Sequence, residues 1–273
     1  MFNLMLHEIK SRWIAILAWG VGLFLFGTLY ITIYPEVAAE MQSLADLEIY
    51  KVMGMSLGTF EGFIASVVLV FVPILLGVYC IISSTAALAG DEDRGTLEGI
   101  VAMPLHRWQI LTAKTLAIII VAVLIMVLAG IGNAAVLAAV SRTTEINVTP
   151  LELFAALITS LPLALAFITM GFFLGALLPN RRIAVFVMTI YFIAAYFGKN
   201  VGEMVESLEG IKYVSLFYYY NTSASVFTDG IKLSDSLVLL AVAVVFFGLT
   251  ILCFNKRNIT VGAWPWQRGR IED

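Results

Sequence analysis

Six long apolar runs, nearly free of charge, leave this chain few ways to fold. They fall at about 13–34, 62–90, 112–140, 153–178, 183–198 and 236–254. All but the fifth reach the roughly 18 residues that a helix needs to cross about 30 Å of hydrocarbon. Inside lipid, a helix satisfies its backbone polar groups within its own segment. Of the 273 residues, 13% are charged and 61% hydrophobic, whereas soluble domains carry about 25% charged residues. The expectation is an all-α integral membrane protein, a single transmembrane domain over residues 1–273 with six spans. The third run could extend roughly 40 Å, so it tilts or protrudes. Pro73 and Pro162 are expected to kink the second and fourth. Cys80 and Cys253 lie in apolar runs, far from any metal-like spacing, and read as buried small apolar residues outside any disulfide.

Between the second and third runs stands a dense polar island, 91–114. Burying Asp91, Glu92, Asp93, Arg94, Glu98 and Arg107 at roughly 3 kcal/mol each would cost on the order of 18 kcal/mol. The island must therefore project into water. Within it Leu97, Ile100 and Val101 fall at i, i+3 and i+4, an apolar stripe on a short polar helix. Acidic residues crowd the start of that helix, where the macrodipole favours them. Pro104 ends it and can open the next helix.

These residues resemble the permease subunit of type 2 ABC exporters. The match runs through Asp93, Arg94, Gly95, Thr96, Leu97, Glu98, Pro104, Arg107 and Lys114. His106 stands where Ser is more usual in that family, and Ala113 where Gly often precedes the Lys; neither change removes a charge. The resemblance implies that 91–107 is a cytoplasmic coupling helix seated in a cleft of a separate ATPase subunit. The residues facing that subunit would be Asp91, Glu92, Asp93, Arg94, Gly95, Thr96, Leu97, Glu98, Ile100, Val101, Pro104, His106, Arg107 and Lys114. It further implies a second permease, either another copy or a related chain, and two ATPase chains that bind ATP and Mg. No cofactor would reside in this chain.

Lys and Arg set the orientation. One side holds Lys10, Arg12, Arg94, Arg107, Lys114, Arg181, Arg182, Lys256, Arg257, Arg268 and Arg270. The other holds Lys51, Arg142, Lys199, Lys212 and Lys232. Eleven against five puts both termini and the polar island in the cytoplasm of a multi-pass cell-membrane protein. Residues 2–13 place Phe2, Met5 or Leu6, Ile9 and Trp13 on one helical face, an interfacial helix leading into the first span. That span is longer than the apolar core of a signal peptide, although Val37-Ala38-Ala39 loosely resembles a cleavage site. On the far side, Val201, Met204, Val205 and Leu208 make a helical stripe that Gly210 should stop. Tyr213, Phe217, Tyr218, Tyr219 and Tyr220 follow, at a density that favours the headgroup level. With the short fifth run, they suggest an external re-entrant segment, which in the resembled family covers the translocation path. A plain aromatic belt is the alternative.

Absences narrow the mechanism. Between the loops no span carries an ionisable residue of the kind that ion-coupled carriers bury. The histidines, His7 and His106, lie in cytoplasmic segments, and no paired carboxylates or ligand cluster suggests hydrolysis. Gly198-Lys199-Asn200 lacks the first Gly and the hydroxyl of a phosphate-binding loop. Asn133 is the most polar side chain deep in a span and reads as a helix–helix contact rather than a substrate ligand; Gly171 and Gly175 form a GxxxG packing pattern. Transport without buried charge needs either a passive path or energy from outside the bilayer. The expectation is an ATP-driven exporter subunit, not an enzyme, moving a hydrophobic or amphipathic substrate, with membrane lipid around it and no nucleic acid. The alternatives are a membrane-embedded lipid-modifying enzyme and a passive channel or scaffold.

Overall fold

The computed structural model describes residues 1–45, 58–91, 105–230 and 232–256. Among them the regular elements are all helical: α1 (Phe2–Ser11), α2 (Trp13–Ala45), α3 (Phe60–Gly90), α4 (Arg107–Val140), α5 (Pro150–Ile158), α6 (Leu161–Leu177), α7 (Arg181–Met204), α8 (Glu209–Lys212), α9 (Val226–Asp229) and α10 (Leu233–Lys256). Six stretches are long and apolar enough to cross a membrane: α2, α3, α4, the α5–α6 pair, α7 and α10. The all-helical, six-span architecture is the one the hydropathy pattern demands.

Local chemistry sets the helix limits. The α4 start precedes the expected 112, because Gln109 Oε1 accepts from the His106 N–H at 3.0 Å and closes the first turn there. At α5, Thr149 and Glu152 cap each other (2.8 and 3.2 Å), with Pro150 at the first position. The fourth span is broken outright. Pro162 has no N–H and its ring would collide with the Ile158 carbonyl. Thr159 and Ser160 bridge the gap, their hydroxyls donating to Ala156 O (2.6 Å) and Leu157 O (2.8 Å). In α3 the backbone widens into single π turns at Ala65–Leu69 and Ala86–Gly90. The first lies just ahead of Pro73, which cannot donate to Leu69 O, so an irregular turn takes up the misfit.

Two helices run well past their expected ends. The first span does not end at residue 34: α2 runs through Pro35 to Ala45. The fifth does not stop at 198: α7 continues to Met204, carrying Lys199, Asn200 and Glu203 within it. Nor does the stripe of Val201, Met204, Val205 and Leu208 form one helix. Val205 is extended (φ −121°, ψ 108°), ending α7, and Gly210 sits inside the short α8 instead of stopping anything.

α6 is the centre of the bundle, packing on α10, α3, α4 and α7, while α2 lies along α4. Phe167, fully buried, meets Phe192 of α7 and Phe217 beyond it at ring-centroid distances of 5.0 and 5.5 Å. The outer helices α2, α7 and α10 expose Ile14, Leu25, Phe186, Ile190, Val244 and Leu252, apolar surface suited to hydrocarbon. After Met204 the chain turns back beside α7. Ser215 Oγ donates to Ala195 O at 2.6 Å and Tyr191 Oη to Val214 O at 3.2 Å. The aromatic run divides: Phe217 and Tyr220 are buried, whereas Tyr213 is exposed.

Candidate functional site

The polar island enters and leaves the bundle at Asp91, which follows α3, and at the first turns of α4. Glu92, Asp93, Arg94, Gly95, Thr96, Leu97, Glu98, Ile100, Val101 and Pro104 lie outside the described residues. What is described is the pair of helix ends on either side of them.

At those ends Lys114 is 1% exposed, two turns into α4. Its ammonium donates to Asp91 Oδ2 at 2.5 Å and to Glu8 Oε1 at 2.6 Å. Glu8 also accepts from Arg12 at 3.3 Å, one helical turn along. A buried ammonium is tolerable when its protons meet carboxylates, and losing one partner of such a pair costs several kcal/mol. The N-terminal helix α1, the end of α3 and the start of α4 are therefore bound by one charge network of two acids and two bases.

Neighbouring contacts extend this face. Arg107 donates to Phe254 O (3.2 Å) and Asn255 O (3.5 Å), capping the last carbonyls of α10 with a cation where the helix dipole favours one. The Arg181 side chain passes Gly90, where an added Cβ would lie 3.3 Å from its Cδ. Asn180 caps α7 by accepting from the Ile183 N–H at 3.0 Å. His106 is exposed at the N-terminus of α4. Of the expected coupling residues, Asp91 and Lys114 thus meet each other, Arg107 reaches α10, and His106 faces outward. Glu8 and Arg12 were missing from that set. Their i, i+4 spacing marks a helical pair, but nothing in the sequence places α1 beside residue 91.

The candidate packing residues lie deeper. Asn133 is buried, donating to Ala129 O at 3.0 Å, with Thr28 of α2 approaching its Oδ1 at 3.5 Å. Gly27 makes room for the amide, since a Cβ there would overlap it. Gly171 allows α6 to press on α3: a methyl there would strike the Ser84 hydroxyl, which donates to Cys80 O at 2.5 Å. Gly175 is looser, its nearest neighbour being Thr85 O at 3.7 Å from an added Cβ. Cys80 and Cys253 are unbridged thiols.

A model of the protein family described as "Multidrug efflux system permease Rv1217c, C-terminal domain" matches residues 9–255. The match takes in all six long helices and every member of the charge network except Glu8. No curated protein matches the chain.

Proposed function

The chain belongs to the family of the multidrug efflux system permease Rv1217c, C-terminal domain, and on that premise we propose that it is the membrane subunit of an ATP-driven exporter. It is a multi-pass membrane permease, a transport subunit rather than an enzyme. The finer reading is that 91–107 is a cytoplasmic coupling helix held by a separate ATPase, which binds ATP and Mg. Two permeases, two copies or this chain and a related one, enclose the path, and two ATPases sit beneath them. The substrate is hydrophobic or amphipathic, and the segment after Met204 dips into the outer leaflet over the path.

The observation that supports this most is the Glu8–Lys114–Asp91 network. A charged segment of 13 residues, 92–104, leaves one helix and enters another, and those helices are joined by a buried ion pair at its base. A push on the segment then moves α3 and α4 as one body, with α1 attached. Interfaces and packed cores of this kind respond as bistable units rather than by gradual deformation.

The test is to replace Leu97 and Ile100 together by Asp in the complex co-purified with its ATPase. We expect the protein to insert normally and ATP hydrolysis to persist, while ATP-dependent uptake of a fluorescent amphipathic drug into inverted vesicles falls at least tenfold. Normal coupled uptake, or purification with no Walker-motif ATPase, would overturn the reading.

A further inference from the structure

On the face away from the charge network, a cavity of about 180 Å³ opens between α7, the Pro73 region of α3 and residues 217–223. It lies apart from the coupling residues. Lys199, Glu203, Asn200, Tyr196 and Thr222 line it, with Pro73 among its apolar walls. We propose that this cavity binds the headgroup of an amine-bearing phospholipid, its phosphate on Lys199 and Thr222 and its ammonium on Glu203.

Depth is the first argument. Arg181 and Arg182 open α7, and Lys199 stands 18 positions beyond Arg181 on the same helix. At 1.5 Å per residue that is about 27 Å along the axis, close to the roughly 30 Å thickness of the hydrocarbon core. With the arginines at one interface, Lys199 lies at the other, the level at which lipid phosphates sit.

The charges supply the second argument. Lys199 is half-buried and its ammonium donates to Thr222 Oγ1 at 3.3 Å, a neutral hydroxyl. Among the described residues no carboxylate lies within ion-pair distance of it. One bond leaves two of its three protons unused, a poor settlement for a half-buried cation. Glu203 is one turn further on, at the i, i+4 spacing that puts both side chains on one face. Both line the cavity without closing on each other. An opposite pair held apart in this way suits a ligand that carries both signs, joined by a short linker.

Size and surroundings agree. At about 180 Å³ the cavity is on the scale of a phosphate with a two-carbon amine and too small for acyl chains. Those have a path along α7, where Ile193, Phe197 and Val201 are exposed. Glu203 can accept hydrogen bonds from a primary ammonium and none from a trimethylated one, so phosphatidylethanolamine should outcompete phosphatidylcholine. This proposal does not depend on the exporter reading.

The experiment is native mass spectrometry of the full chain in mild detergent. It would be titrated separately with phosphatidylethanolamine, phosphatidylcholine and phosphatidylglycerol, then challenged with glycerophosphoethanolamine or inorganic phosphate. We expect one phosphatidylethanolamine to be retained above the others. Lys199→Met should weaken it about tenfold or more, as loss of one charge-assisted bond implies. Lys199→Arg should stay within a few-fold of the native affinity, and Glu203→Gln should erase the preference over phosphatidylglycerol. Displacement by glycerophosphoethanolamine but not by inorganic phosphate identifies the headgroup as the recognised unit. Unchanged binding in both Lys199→Met and Glu203→Gln would overturn the proposal, as would displacement by inorganic phosphate alone at equal potency.

Discussion

Lys114 carries the most consequence of any single side chain. The hydropathy pattern put it at the mouth of a span and the family motif made it a coupling residue, yet neither said what it touches. It is buried, with Asp91 and Glu8 at 2.5 and 2.6 Å. Lys114→Met would leave two carboxylates facing each other without the cation between them, a change that costs about 3–5 kcal/mol. Glu8→Gln should cost clearly less, because Lys114 keeps Asp91 and the Glu8 side chain is 14% exposed. Thermal unfolding of both variants in detergent should rank them in that order; equal melting temperatures would show that the network contributes little. Lys114 of the motif and Asp91, just ahead of it, stood out in the sequence because they carry charge at an apolar boundary. Glu8 did not, because an acid in a short amphipathic helix has no periodicity that names its partner 106 positions away.

At the scale of elements, apolar runs located every crossing helix, and the misses occurred where polarity or proline was over-read. The fifth run was cut at residue 198 because Lys199, Asn200 and Glu203 follow. Those groups remain helical because they line a polar cavity and Lys199 is bonded to Thr222. The first run was ended at residue 34, but α2 continues through Pro35, a proline that a long helix accommodates at the loss of one backbone bond. Pro162 did break its helix: it cannot donate to Ile158 O, and the Thr159 and Ser160 hydroxyls bond the last carbonyls of α5, Ala156 O and Leu157 O. The Gly171–Gly175 pattern was legible as a packing motif, but not the inequality of its two glycines. Gly171→Ala should cost about 1–3 kcal/mol, the range of core overpacking, as its methyl meets the Ser84 hydroxyl. Gly175→Ala should be nearly neutral. Adding Ser84→Ala to Gly171→Ala removes the oxygen in the way and should restore most of the loss. A double-mutant cycle in detergent measures this directly, and a simple sum of the two single effects would refute the contact.

For the whole molecule, the decisive question is which face meets the cytoplasm, since only there can a partner find ATP. One end of the bundle gathers Arg12, Arg107, Lys114 and Arg181 around the ends of α1, α3, α4, α7 and α10. The opposite end carries the folded-back segment with Glu206, Glu209 and the cavity lined by Lys199. Basic residues are retained on the cytoplasmic side during insertion, and acidic residues exert little pull. The charge-network face should therefore be cytoplasmic. Both native cysteines sit in apolar helices, Cys80 buried and Cys253 half-buried, so a Cys80→Ala, Cys253→Ser background gives a clean chain. Into it, His106→Cys and Glu206→Cys place thiols at exposed positions on opposite faces. A membrane-impermeant maleimide added to intact cells should modify the Glu206→Cys chain and reach the His106→Cys chain only after permeabilisation. The reverse pattern would put the polar segment outside the cell, where no ATPase could hold it, and would leave the buried network as a structural clasp with nothing to transmit.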